Sequence, residues 1–266
     1  MNKNPCSVLY VTLLAILTGP VAAAEIYTFG IVPQTSASRV AKDWTPILKY
    51  LEERTGKQFR FATARSMPLF SQRVAESKYD FVYLNPDDYV KYQDRDRYHA
   101  IARARNLKLK GIIVVRKDSP LEKLDELNNK DLAVPAHAFA SDTLPRAALH
   151  DNGLAVTISP MATNDAVYSA VALGHATAGG GVPRTFNSTA PEFREQLRVL
   201  WTSEGYTPQA FAAHARVPKD VVQAVQEALI DMGDDPLARK YLKVIAPEGL
   251  DYGHDEDWDD TRKLDL

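Results

Sequence analysis

Tyr79-Asp80-Phe81-Val82-Tyr83-Leu84-Asn85-Pro86-Asp87-Asp88-Tyr89 decides how this chain is read. Phe81 to Leu84 is a short apolar, β-favouring run, long enough for a buried strand and too short for a helix. Asn85-Pro86 stops that strand, and Pro86 suits the first position of a helix, where an N–H needs no partner. A strand that ends abruptly at a helix start is where open α/β sheets bind ligands. Tyr83, Asn85 and Tyr89 give that edge two phenolic hydroxyls and an amide, a rim for a small polar ligand.

Working outward, the same alternation recurs. Ile26 to Val32 reads as a strand, followed by the polar loop Pro33 to Ser38. Val40, Trp44, Ile47, Leu48 and Leu51 fall at helical spacing up to about Thr55, and Gly56 ends the helix. Gln58 to Ala62 is a strand, Pro68 to Ser77 a helix and Tyr79 to Leu84 the third strand. This β-α-β-α-β order predicts a mostly parallel sheet flanked by helices. Two extended segments, His99 to Arg105 and Gly111 to Arg116, follow, the second a buried strand, then a charged helix reaching about Asn129.

The pattern then restarts: strand Leu132 to Pro135, helix Ser141 to Asn152, strand Val156 to Ser159, helix Asn164 to Leu173, strand Ala176 to Ala178. That is a second α/β lobe. Leu197 to Thr202 and Ala210 to Ala213 read as further strands, Val221 to Met232 and Pro236 to Val244 as helices. The fold class is therefore α/β with two lobes. Lobe 1 is discontinuous, residues 25–108 and 212–266, and lobe 2 is residues 109–211. The acidic stretch Asp251 to Asp260 reads as a solvated tail.

Residues 1–24 have the pattern of a secretory leader: Lys3, the apolar stretch Val8 to Leu17, and small residues up to Ala24. This predicts export to the periplasm with cleavage near Ala24. The single cysteine, Cys6, would leave with the leader, so disulfides, thiolate catalysis and cysteine metal sites are not expected. A formal charge of −2 supplies no long-range field for nucleic acid or anionic lipid. Anion preference must come from a local site.

Phe29-Gly30-Ile31-Val32-Pro33, Trp44-Thr45-Pro46-Ile47-Leu48, Tyr79-Asp80-Phe81-Val82-Tyr83 with Pro86 and Tyr89, Asn164-Asp165-Ala166-Val167-Tyr168 before Gly174, and Ala178-Gly179-Gly180-Gly181 with Arg184-Thr185-Phe186 occur in that order. Together they resemble the periplasmic solute-binding proteins of phosphate, phosphite and phosphonate ABC importers, along almost the whole mature length. The resemblance implies a type II periplasmic-binding-protein fold whose lobes close on a ligand, with the chain crossing the hinge twice. It implies a small anionic solute, an ABC permease as partner, no cofactor and a monomer. Where the family has a Ser/Thr run, this chain has Ala138-Phe139-Ala140-Ser141. Asn164 stands for a usual histidine and Thr177 for a usual acidic residue.

A compact oxyanion can be held by helix N-terminal N–H groups and hydroxyls. Gln34, Thr35 and Ser36 occupy the first loop–helix junction, where the hydroxyls are ligand groups or plain N-caps. Arg65 and Ser66 occupy the second; Arg65 is a bidentate anion contact or a solvated cation. Tyr83, Asn85 and Tyr89 occupy the third, as ligand contacts or as packing and a cap. In lobe 2, His137, Ser141 and Asn164 are candidates with capping or structural alternatives. Gly180, in a triple glycine, is a backbone anion cradle; Tyr168 and Arg184 come from the matching motifs. No nucleotide P-loop, Gly-x-Ser-x-Gly elbow or His-Glu-x-x-His pair occurs. His254 to Asp257 could hold a divalent ion or form part of the solvated tail. The reading is a binding protein serving an importer. The alternatives are a sensor presenting the clamp to a membrane kinase and, more remotely, a periplasmic hydrolase.

Overall fold

The computed structural model describes residues 25–93 and 97–264. Residues 1–24, where the leader is expected, lie outside them. The chain begins as β1 (Ile26–Ile31), α1 (Ala37–Thr55), β2 (Gln58–Ala62), α2 (Met67–Ala75), β3 (Phe81–Leu84), α3 (Pro86–Gln93) and β4 (Tyr98–Ala104). It then crosses into β5 (Ile112–Arg116), β6 (Lys130–Pro135), α4 (Leu144–Asp151), β7 (Val156–Met161), α5 (Asn164–Ala172), β8 (Ala178–Gly181), α6 (Pro183–Asn187), α7 (Pro191–Arg194) and β9 (Leu197–Thr202). It returns as β10 (Ala210–His214), α8 (Lys219–Asp234), β11 (Leu250–Tyr252) and α9 (Asp259–Arg262).

The strands form two sheets, one ordered β11-β4-β10-β3-β1-β2 and the other β7-β6-β8-β5-β9. Both are mixed. The β-α-β repeats give parallel pairs, β1 with β2 and β3, and β6 with β7 and β8. The strands flanking each crossing arrive antiparallel: β4 and β10 in the first sheet, β5 and β9 in the second. The crossings are a two-stranded ribbon, in which the Leu109 and Tyr206 N–H groups each donate to the other's carbonyl, at 2.8 and 2.9 Å.

Helical spacing in α1 puts Val40, Trp44, Ile47, Leu48 and Leu51 on the buried face, and Gly56 closes the helix at φ 66° with its N–H on Glu52 O. Phe29, Phe59, Phe81, Trp44, Tyr83 and Phe211 form one aromatic core beneath it. Two expected helices are shorter than their sequence suggests. The stretch before Asn129 keeps only the 3-10 turn Leu124–Leu127, because Glu126 turns back to accept the Glu122 and Lys123 N–H groups. Residues 236–244 keep the 3-10 turn Arg239–Leu242.

The acidic stretch is not a solvated tail. Leu250–Tyr252 adds an edge strand to β4, and Trp258 is fully buried against Tyr89 with its indole N–H donating to Pro208 O at 2.8 Å. Asp255 accepts from the Tyr89 hydroxyl and the Ala100 N–H, and Asp257 pairs with Arg103 at 3.0 Å. Burial pushes the Asp255 carboxyl up, but the Tyr89, Ala100 and His99 donors outweigh it and leave it below its ordinary value. Composition alone reads these aspartates as solvated; their partners lie some 150 residues away.

Candidate functional site

The candidate site is a cleft of about 1080 Å³ with walls from both lobes. From the first come Met67, Pro68 and Ser71 of α2, Asn85, and Asp87, Asp88, Val90 and Lys91 of α3. From the second come His137, Asp142, Thr143 and then Arg146, Ala147 and His150 of α4. Thr261, Arg262 and Leu264 close one side.

On the first wall, β3 ends where Asn85-Pro86 predicts. Asn85 is 4% exposed, and its Oδ1 accepts from the amides of Gln34 and Gln209, both at 3.4 Å. Gln209 in turn stands 3.5 Å from the Tyr83 hydroxyl. The ends of β1 and β3 and the returning crossing therefore meet in one amide cluster, with Asn85 opening onto the cleft. Tyr83 is packed between Trp44 and Phe211, and burial pushes its phenol well above the ordinary value. Tyr89 does not face the cleft. It is fully buried and its hydroxyl is committed to Asp255 and Ala100, so it is a packing residue.

Thr35 and Ser36 are exposed ahead of α1, and Ser36 faces Ser38 rather than capping the helix. Arg65 is exposed, and Ser66 caps α2 through Leu69 N–H at 3.4 Å. Neither pair lines the cleft, although the first turn of α2 does.

On the second wall, the expected helix start at Ser141 is a wide π-type turn, Phe139–Thr143, that runs into α4. His137 is held at φ 62°, with its N–H donating to Asp142 Oδ2 at 2.9 Å. Ser141 is buried beneath the surface. Asn164 is not a cap: Thr163 caps α5 by accepting Ala166 N–H at 3.1 Å. Tyr168 is fully buried, bonded to Thr185 and Val182, and Arg184 is exposed on α6. The triple glycine is strand, not cradle. A Cβ on Gly180 would sit 2.1 Å from the Ser141 carbonyl oxygen, and one on Gly181 2.2 Å from the Tyr168 hydroxyl. Gly180 lets β8 press against the turn that carries Asp142 and Thr143, while Gly179 and Gly181 admit side chains of α5.

Linear reading missed Asp87, Asp88, Lys91, Asp142, Thr143 and Arg146. Their signal was position: each lies within two turns of a helix start that follows a strand end. Burial and the neighbouring Asp88 charge push the Asp87 carboxyl up to about 6, partly offset by Thr143 from the opposite lobe. Its Oδ1 is buried without a partner. Asp88 is also raised by burial, with Ser71 pulling the other way. Thr177, in place of the expected acid, bonds Asp131 instead, so the cleft carboxylates come from other positions.

Because the folded Asp87 carboxyl is raised above the ordinary 3.8, its contribution to stability is full below that value and is lost as pH rises through about 6. Asp87→Asn should therefore melt above the parent protein at about pH 8, by roughly 1–2 kcal/mol after allowing for solvent in the cleft. The gain should vanish near pH 4. Parallel melts across that range check it; a constant offset would place the cause elsewhere.

The model of the ABC transporter, phosphonate, periplasmic substrate-binding protein family matches residues 29–258. The chain belongs to this family. Members bind substrates for transporters rather than transform them, and they work in the periplasm. Solved structures share the fold. A Xanthomonas citri protein bound to ATP superimposes with a TM-score of 0.76 at 16% identity, over 91% of this chain and 99% of its own. PhnD1 from Prochlorococcus marinus, in complex with methylphosphonate, gives 0.75 at 13% identity, over 90% and 96%. A binding protein component of an ABC phosphonate transporter from Pseudomonas aeruginosa gives 0.72 at 16%, over 90% and 85%. The two-lobed type II periplasmic-binding-protein fold is theirs and this chain's alike.

Proposed function

We propose that this periplasmic binding protein, exported through a leader cleaved near Ala24, closes its lobes on a small phosphorus oxyanion and hands it to an ABC permease. The observation that carries this reading is that cations face one cleft from opposite lobes, Lys91 and Arg262 on one side and Arg146 on the other. Arg146 and Arg262 already pair with Asp142 and Asp259, so a shared oxyanion adds charge-assisted bonds from both walls and draws them together. Asn85 and His137, together with Thr143, supply neutral polar contacts. Asp87, carrying its proton below about pH 6, donates a hydrogen bond to the oxyanion and favours uptake as pH falls.

At about 1080 Å³ the cleft lies just above the roughly 300–1,000 Å³ typical of ligand sites, far larger than a tetrahedral oxyanion. That size supports a clamp seen open. It also makes a larger phosphate ester a second class to test, since the Xanthomonas citri relative holds ATP.

The test is a thermal-shift panel with phosphate, phosphite, methylphosphonate, sulfate and ATP, followed by calorimetry. A ligand specific to the native state adds about 2.7 kcal/mol at a hundredfold excess over its dissociation constant. Arg146→Ala should then weaken the bound anion by roughly tenfold or more, the scale of one charge-assisted hydrogen bond. Unchanged affinity would remove Arg146 from the site, and silence across the panel would remove the oxyanion reading.

A further inference from the structure

We propose that Asp260 is the positioning residue of the hinge: its one carboxylate ties both interlobe crossings to the segment that borders the cleft, and so sets how far the unliganded lobes swing. The inference rests on the two-lobed clamp described above.

Two segments, residues 105–111 and 203–209, join the lobes. The Asp260 carboxylate touches each of them. On the returning crossing it accepts the Thr207 N–H at 2.7 Å and lies 2.9 Å from the Thr207 hydroxyl. On the outgoing crossing it meets the Lys108 ammonium at 3.3 Å, and that ammonium also reaches Thr207 Oγ1 at 3.1 Å. A carboxylate between an ammonium, an amide and a hydroxyl forms stronger, charge-assisted bonds than neutral pairs do.

The neighbours of Asp260 extend the tie in both directions. Before it, the Asp257 carbonyl stands 2.7 Å from the Thr207 hydroxyl, and the Trp258 indole holds Pro208. After it, Thr261, Arg262 and Leu264 line the cleft. A rotation of lobe 2 must bend the ribbon at Lys108 and Thr207, and Asp260 fastens both to lobe 1. The same displacement reaches the cleft wall through the next residues. Hinges absorb closure in a few element-terminal positions; here those positions share a single anionic anchor.

Hydrogen exchange on the solute-free protein tests this without any ligand. In Asp260→Ala, amides of residues 106–111, 203–207 and Gln209 should exchange at least roughly tenfold faster, while those of β1 and β6 keep their rates. Asp260→Asn retains an acceptor for Thr207 but not the charge facing Lys108, and should show a smaller rise in the same segments. Because Cys6 is the sole cysteine, spin labels at Lys49→Cys and Glu122→Cys in the mature protein report the interlobe distance. That distance should be narrow in the parent and broad in Asp260→Ala. Unaltered exchange at the crossings, or an equal rise everywhere, would overturn the proposal, the second outcome marking Asp260 as a general stability residue. A null ligand panel with hinge-specific exchange would defeat the oxyanion reading and leave this one standing.

Discussion

Trp258→Ala should lower the unfolding free energy by roughly 3–5 kcal/mol, the range for removing a fully buried large aromatic side chain. The indole has no solvent exposure and its ring centroid lies 4.6 Å from that of Tyr89. Three things are lost together: apolar burial, the contact with Tyr89 and the 2.8 Å bond to Pro208 O. The last leaves a buried carbonyl acceptor without its donor, which adds to the cavity term. Chemical denaturation at neutral pH measures the change. Trp258→Phe should recover the packing share while still lacking the hydrogen bond. A loss below about 1 kcal/mol for the alanine variant would mean that residues 253–264 contribute little to the fold.

Gly180→Ala should be nearly as damaging, and it should also reach the cleft. The added methyl would stand 2.1 Å from the Ser141 carbonyl oxygen and 3.1 Å from Val134 Cγ1. A side chain can rotate away from a clash, but Ser141 O is backbone and sits in the Phe139–Thr143 turn. Overpacking of this kind costs roughly 1–3 kcal/mol and can exceed that where backbone must shift. The turn that shifts carries Asp142 and Thr143 into the cleft, so affinity for any solute held there should fall with stability. Gly174→Ala is the control: its φ of 75° strains an alanine by about 1 kcal/mol, but nothing lies within 4 Å of the new methyl. Equal effects at both positions would show that β8 does not need close approach.

These residues mark the boundary between what could and could not be read in advance. Strand β3, the stop at Asn85-Pro86 and helix α1 followed from local rules, since an apolar run, a missing N–H and a 3.6-residue period act within a few residues of chain. The same logic placed Asn85, Tyr83 and Tyr89 at the strand end, but of these three only Asn85 lines the cleft. The glycine triplet could not be read that way. Permissive backbone is equally suited to cradling an anion or to admitting a neighbouring chain segment. Only the position of Ser141 O, thirty-nine residues earlier, separates the two.

Tyr89 and the aspartates of residues 255–260 show the same limit. In linear sequence Tyr89 reads equally as a ligand contact or as packing, and the acidic stretch near Trp258 looks like surface. Folding joins them through Tyr89 to Asp255, through Arg103 to Asp257 and through Thr207 and Lys108 to Asp260. The sequence by itself determined the two α/β lobes and the β-α-β order of residues 26–84, because these depend on short-range stereochemistry and hydrophobic period. Tertiary structure alone decided which charges face the cleft and which lock the hinge, because a charge takes its role from whatever long-range folding places within about 3–4 Å of it.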